Sequence, residues 1–146
     1  MKARDVMTAH PSVITPEVPI HRAAELMRDR RVGMLPVIDS LQSRRLRGVL
    51  TDRDIVVRCI AEGRDARGTV LDVMSVRHLT TARLDDDVSS VAHKMRRDHV
   101  RRVPVVDDEH RVVGVVAVVD IATRLVPADP VLVVGLERHA SPLARA

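Results

Sequence analysis

The amino-acid sequence predicts a mixed α/β (α+β) fold written twice. Three observations carry that reading: an internal duplication, a matching succession of strand-like and helix-like patterns in each copy, and enough apolar residues for one sizeable core. The helical stripe Ile20, Ala23, Ala24, Met27 recurs as Val88, Val91, Ala92, Met95, and the run from Val32 to Asp39 recurs from Val100 to Asp107, 68 residues later. A repeat comes first in the argument because overlooking it misreads the whole fold. The chain has 146 residues, 45% hydrophobic and 30% charged, which is the balance of a folded domain. A unit of about 60 residues buries little surface by itself, so the two copies are expected to share their apolar faces.

Each copy reads as strand, helix, strand, strand, helix, a β-α-β-β-α unit. In the first, residues 12–15 form a short β-prone stretch, and Pro16 and Pro19 set up a helix to about Arg31 with apolar residues at i, i+3, i+4 and i+7. Residues 35–38 and 46–50 are strand-like around a polar turn at 39–45. A second helix is expected over 52–62, stopped by Gly63. The second copy repeats this with strands at 79–81, 103–106 and 112–118, a helix over 88–99, and a short helix from Asp120 that ends before Pro127. Pro36 and Pro104 each remove a ladder donor and are expected to begin their strands or to lie on an edge. The domain boundaries that follow are repeat 1 at 1–63, a linker at 64–69, repeat 2 at 70–127 and a tail at 128–146, whose apolar run 131–136 packs on the body or meets another subunit.

Composition narrows the function classes. The formal charge of +4 rests on arginine, since Lys2 and Lys94 are the only lysines. Many arginines sit beside carboxylates, as in Arg28-Asp29-Arg30 and Arg96-Arg97-Asp98, the pattern of a solvated mixed-charge face. With no Phe, Tyr or Trp there is no platform on which bases could stack, so nucleic acid is an unlikely partner. No apolar run approaches the roughly 18 residues of a membrane span, and Met-Lys-Ala-Arg-Asp lacks the apolar core of a signal peptide. A cytoplasmic location with no membrane partner is expected. Cys59 is the lone cysteine, expected as a small core or interface residue, and the seven histidines show no metal-binding spacing.

The segment Gly48-Val49-Leu50-Thr51-Asp52-Arg53-Asp54 places a glycine, a hydroxyl and a carboxylate where a strand passes into a helix. Unpaired N–H groups and the helix dipole favour a phosphate there, and Thr51 can add a hydroxyl donor. Asp54 would repel a phosphate but suits vicinal ribose hydroxyls. Thr51 followed by Asp54 also has capping-box spacing, which would satisfy the helix start with no ligand at all.

Beyond this segment, Val6-Met7-Thr8, the helix bearing Ala23-Ala24 and Met27, Leu35-Pro36-Val37-Ile38-Asp39 and Gly48 to Asp54 together resemble the cystathionine-β-synthase (CBS) motif. A second copy runs from Val73-Met74-Ser75 to Asp120-Ile121, so the resemblance covers about residues 3–125. It implies a tandem CBS pair with pseudo-two-fold symmetry, clefts that take an adenosine-containing ligand (AMP, ADP, ATP or S-adenosylmethionine) as a regulatory ligand and not a required cofactor, and a homodimer formed through helices. It assigns the phosphate and ribose contacts to Thr51 and Asp54, and the adenine contacts to backbone and aliphatic groups near Met34 and Leu35.

The second copy departs from the pattern. Gly114-Val115-Val116-Ala117-Val118-Val119-Asp120 keeps the glycine and Asp120 but has Ala117 in place of the hydroxyl, so its site should bind more weakly by roughly tenfold or more. Arg101 and Arg102 could compensate at a phosphate, or could instead form a surface pair bridged to Asp98 or Asp107. The sequence shows no P-loop, nucleophile elbow or metal cluster. The expected function is therefore a non-enzymatic sensor acting on an effector protein in trans, and the alternative is a structural or stress-associated dimer with empty clefts.

Overall fold

The computed structural model describes residues 1–125, so the apolar run expected to pack at 131–136 lies outside the described residues. In chain order the elements are α1 (Ala3–Val6), β1 (Thr8–Ala9), α2 (Ile20–Arg30), β2 (Met34–Ile38), β3 (Leu46–Thr51) and α3 (Asp52–Asp54), which runs into a π-helical stretch (Ile55–Ile60). A 3-10 turn (Val70–Asp72), β4 (Ala82–Arg83), α4 (Val88–Arg97), β5 (Arg102–Val106), β6 (Val112–Ala117) and α5 (Val118–Leu125) follow. The α+β class and the duplicated element order are those the sequence predicts.

Several boundaries differ for identifiable reasons. The helix starting at Asp52 opens into π geometry from Ile55, with the Ala61 amide bonded to the Val56 carbonyl at 2.9 Å. The consecutive β-branched residues Ile55, Val56 and Val57 crowd an ordinary α turn. Gly63 ends the segment at φ 68°, the left-handed conformation a glycine adopts without penalty. The strand expected at 12–15 is reduced to a single bridge between Ile14 and Val37, and the strand expected at 79–81 lies at Ala82–Arg83. Helix α5 begins at Val118, two residues before Asp120.

Neither proline begins its strand, since Pro36 and Pro104 are each third in β2 and β5; Pro36 does lie on an edge, because β2 has β3 as its one partner in a two-stranded sheet, whereas β5 is flanked by β6 and β4. Their missing N–H groups are accommodated because the neighbouring segment starts to pair only beyond that point. The Ile14 amide meets the Pro36 carbonyl at 3.1 Å and the Ile38 amide meets the Ile14 carbonyl at 2.8 Å, while β4 pairs in parallel with β5 from Val105 onward.

The chain forms two compact units that do not follow its linear order. Among the described residues, the first comprises Pro11–Leu79 with Asp108–Val112, and the second Met1–His10, Thr80–Asp107 and residues 113–125. In the first unit β2 and β3 form an antiparallel hairpin, Met34 opposite Thr51 and Leu35 opposite Leu50, with a bulge between Val37 and Ile38. Ile20, Ala23 and Met27 of α2 pack with Leu35, Val37 and Leu50 to make its core, and Cys59 is fully buried there. No side chain caps α2; instead the Ile20 and His21 amides donate to the carbonyls of Gly68 and Ala66 at 2.8 and 2.9 Å. Residues 64–69 therefore do more than link, because they satisfy donors that would otherwise be orphaned.

In the second unit the strand order is β1-β6-β5-β4, with Thr8 opposite Val115 and Ala9 opposite Gly114. Val88, Val91 and Met95 of α4 pack with Val103, Val105, Val116 and Ile121. Helix α4 is capped in the same way as α2, its Val88 amide donating to the Met1 carbonyl at 3.0 Å. Each unit thus takes its helix cap from the segment that leads into the other copy of the repeat.

Candidate ligand-binding site

The β2–β3 hairpin brings together the first-copy residues singled out by sequence. The Asp52 amide donates to the Gly33 carbonyl at 3.1 Å, which fixes the alternation along both strands. Gly33, Leu35 and Val37 direct their backbone groups toward β3; Met34, Pro36 and Ile38 direct theirs away. Met34 and Thr51 therefore form a non-hydrogen-bonded pair with adjacent side chains. Because the Ile14 segment first bonds at Pro36, the Met34 N–H and C=O have no partner among the described residues, although Met34 is only 5% exposed. Leu35, expected beside an adenine, is wholly buried with its side chain in the core of this unit.

Thr51 and Asp54 form a complete capping box. The Asp54 amide donates to Thr51 Oγ1 at 3.1 Å, and the Thr51 amide donates to Asp54 Oδ2 at 2.9 Å. The box leaves two groups unspent, because Thr51 uses a hydroxyl lone pair and keeps its proton to donate, while Asp54 keeps Oδ1. That oxygen faces Arg58, whose Nε lies 3.9 Å away. Arg58 Nη1 also donates to the carbonyls of Val73 and Met74, each at 3.2 Å. Sequence reasoning missed Arg58; the available signal was its i+4 spacing from Asp54 on a helix.

Directly beside this corner, β3 carries Gly48, where a Cβ would overlap the Ser75 carbonyl oxygen and come within 2.6 Å of Met74 Cε. Glycine is needed here for close approach, since Ser75 and Val49 exchange two backbone hydrogen bonds of 3.0 and 2.9 Å. In the second unit Gly114 plays the same part against Met7.

The second-copy corner is a partial replica. The Val118 amide donates to the Arg101 carbonyl at 2.9 Å, as Asp52 does to Gly33. The Ala117 amide donates to Asp120 Oδ2 at 3.0 Å, so half of the box forms without the hydroxyl. Arg101 and Arg102 are exposed, and neither forms an ion pair among the described residues. Asp98 is instead held by Arg97 and by the Thr80 hydroxyl. Among the described residues no group of three or more His, Cys, Asp or Glu could hold a metal, and no helix is long and apolar enough to cross a membrane.

Comparison with known proteins identifies the family of the fold. The CBS domain family matches at residues 3–60 and again at 70–127. The CBS domain-containing protein YhcV of Bacillus subtilis (strain 168) is 36% identical over 121 residues, 83% of each chain. Hypoxic response protein 1 of Mycobacterium tuberculosis is 33% identical over 144 residues, covering 99% of this chain and 97% of that protein. The crystal structure of hypoxic response protein I, with two coordinated zinc ions, has a TM-score of 0.77 at 33% identity, covering 86% of this chain and 99% of that one. The CBS domain pair of MJ0100 in complex with 5′-methylthioadenosine and S-adenosylmethionine has a TM-score of 0.76 at 29% identity, covering 88% and 98%. CBSX2 in complex with AMP has a TM-score of 0.74 at 25% identity, covering 86% and 96%. With both family matches falling on the two copies of the repeat, this chain belongs to the CBS domain family as a tandem pair.

Proposed function

We propose that this CBS pair is a non-enzymatic regulatory module that binds an adenosine-containing ligand (AMP, ADP, ATP or S-adenosylmethionine) at the Met34, Thr51 and Asp54 corner and acts on a partner protein. The observation that carries the reading is Met34, a nearly buried residue whose N–H and C=O lack partners among the described residues, beside a hydroxyl proton and a carboxylate oxygen that the capping box leaves unspent. Leaving such backbone groups unpaired costs about 1–3 kcal/mol each, so they call for an occupant. An adenine edge presents an acceptor next to a donor and suits that pair. The Thr51 hydroxyl suits a phosphate, and Asp54 Oδ1 suits ribose hydroxyls. The adenosine ligands of the MJ0100 pair and CBSX2 support this chemistry.

The second corner, without a hydroxyl at Ala117, is the weaker of the two. Saturating ligand, at about 100 times its dissociation constant, should stabilise the fold by about 2.7 kcal/mol. Melting followed by circular dichroism with each of the four ligands tests this; four unchanged curves would refute it. Isothermal titration of Asp54→Ala then tests the residue assignment, since binding equal to wild type would remove Asp54 from the site.

A second reading is favoured by the closed capping box, which is satisfied without any ligand: a self-associating structural module with empty sites. Val56, Val57 and Ile60 are 58%, 42% and 64% exposed and would support a homodimer in either case. The melting experiment separates the two readings.

A further inference from the structure

We infer that Arg58 is a positioning residue that ties occupancy of the ligand corner to the grip of β3 on residues 73–75; the inference rests on the ligand reading above. Arg58 stands between two structures. Its Nε faces Asp54 Oδ1 at 3.9 Å, and its Nη1 donates to the Val73 and Met74 carbonyls at 3.2 Å each. The guanidinium is planar and rigid, so Nε cannot shift relative to Asp54 without moving Nη1 relative to the carbonyls. Those carbonyls precede Ser75, which pairs with Val49 on the outer edge of β3, with Met74 packed against Gly48.

The duplication supplies an internal control. Arg124 stands four residues after Asp120, as Arg58 does after Asp54, and its Nη1 donates to the carbonyl of Asp5. Asp5-Val6-Met7 leads into β1 as Asp72-Val73-Met74 leads into Ser75. The second copy has Ala117 in place of Thr51, yet its arginine also donates to a carbonyl of the leading segment, that of Asp5, one residue before the counterpart of Val73. The arginine is thus associated with the segment carbonyls and not with the phosphate hydroxyl.

Asp54 Oδ1 is the carboxylate oxygen left outside the capping box, and Arg58 Nε and ligand hydroxyls compete for it. When hydroxyls donate to Oδ1, Arg58 is drawn less to Asp54 and more to the two carbonyls, and residues 73–75 are held more tightly. A ligand signal then reaches a backbone segment through one side chain.

Hydrogen exchange on the full chain tests this, with AMP as the probe and the AMP-induced melting shift measured in parallel. In the wild type, AMP should slow exchange of the Ser75 amide about tenfold, the scale of one charge-assisted hydrogen bond. In Arg58→Gln the melting shift should persist while the slowing at Ser75 disappears; equal slowing in both proteins would overturn the inference. Should Arg58→Gln fail to fold, Arg58→Lys, which keeps the charge but loses the fork, should give less than half of the wild-type slowing, and full slowing would overturn it. Absence of a melting shift in the wild type would instead refute AMP binding. The grip itself is then read without ligand: faster Ser75 exchange in the arginine variant supports it, and unchanged exchange overturns it.

Discussion

Thr51 and Asp54 each satisfy the other's backbone amide, through Oγ1 at 3.1 Å and Oδ2 at 2.9 Å, and still retain a proton and an oxygen for something else. Cap and ligand contact are therefore compatible roles. Thr51→Ala should destabilise the fold by about 1 kcal/mol, the usual cost of a lost N-cap, and weaken AMP roughly tenfold. Thr51→Ser should do neither. Urea unfolding by circular dichroism and isothermal titration check both halves, and a Thr51→Ala protein of unaltered stability would contradict the cap.

The second copy offers the reverse experiment. Ala117 already donates its amide to Asp120 Oδ2 at 3.0 Å, so a hydroxyl at this position completes the box. Ala117→Thr should stabilise the protein by about 0.5–1 kcal/mol. It should also strengthen the weaker binding event in a titration with AMP, and a titration indistinguishable from wild type would count against a ligand seat at that corner.

Gly48 and Gly114 should differ in their tolerance of alanine. A Cβ at Gly48 meets a backbone carbonyl, that of Ser75, whereas the nearest atoms to one at Gly114 belong to the Met7 side chain. A flexible thioether can give way, but a paired backbone cannot. Gly48→Ala should cost about 2–3 kcal/mol and Gly114→Ala about 1 kcal/mol, read from urea midpoints. The opposite ranking would mean that the Ser75 edge is looser than described.

Among the described residues, six other than glycine have positive φ, and they fall into three repeat-related pairs: His10 with His78, Arg31 with His99, and Arg44 with His110. The architecture demands a left-handed residue at each position, and the chain supplies no glycine. At Arg31, which ends α2 at φ 54°, Arg31→Gly should raise stability by about 0.5–1 kcal/mol, because relief of the left-handed strain exceeds the entropy cost. A lower melting temperature would show that the arginine side chain contributes more than its backbone costs.

The carboxyl of Asp98 is held down to about 2, first by the Arg97 guanidinium and then by the Thr80 hydroxyl at 2.8 Å. An unfolded aspartate titrates near about 3.9, so the native state binds fewer protons in between. The stabilisation is complete above roughly pH 4 and is lost as pH falls through about 2. Thr80→Val should raise the Asp98 midpoint, measured by carboxyl carbon NMR. An unmoved midpoint would leave Arg97 as the whole cause.

Much of this architecture was legible in the chain because it depends on local pattern. The stripes on α2 and α4 follow helical spacing, and Gly63 stands where a helix must stop. Thr51 and Asp54 lie three residues apart, the distance a capping box spans. The place of Pro104 inside a four-stranded sheet was not legible, because whether a missing N–H matters depends on how far a neighbouring segment pairs. Nor was the seclusion of Leu35, since alternation along β2 is hidden when every residue from Met34 to Ile38 is buried.

By itself the sequence determined the duplicated α+β fold, the meeting of Thr51 with Asp54, and the inequality that Ala117 introduces. Tertiary structure decided which stretch of chain completes which unit: Met1 caps α4, Gly68 caps α2, and Ser75 borders β3. It also decided that Arg58 reaches the Val73 and Met74 carbonyls and that the Met34 backbone finds no partner among the described residues. Side-chain identity and periodicity are written in the residues. Long-range contacts between backbone groups are not, because every residue but proline carries the same donor and acceptor and only the folded path selects their partners.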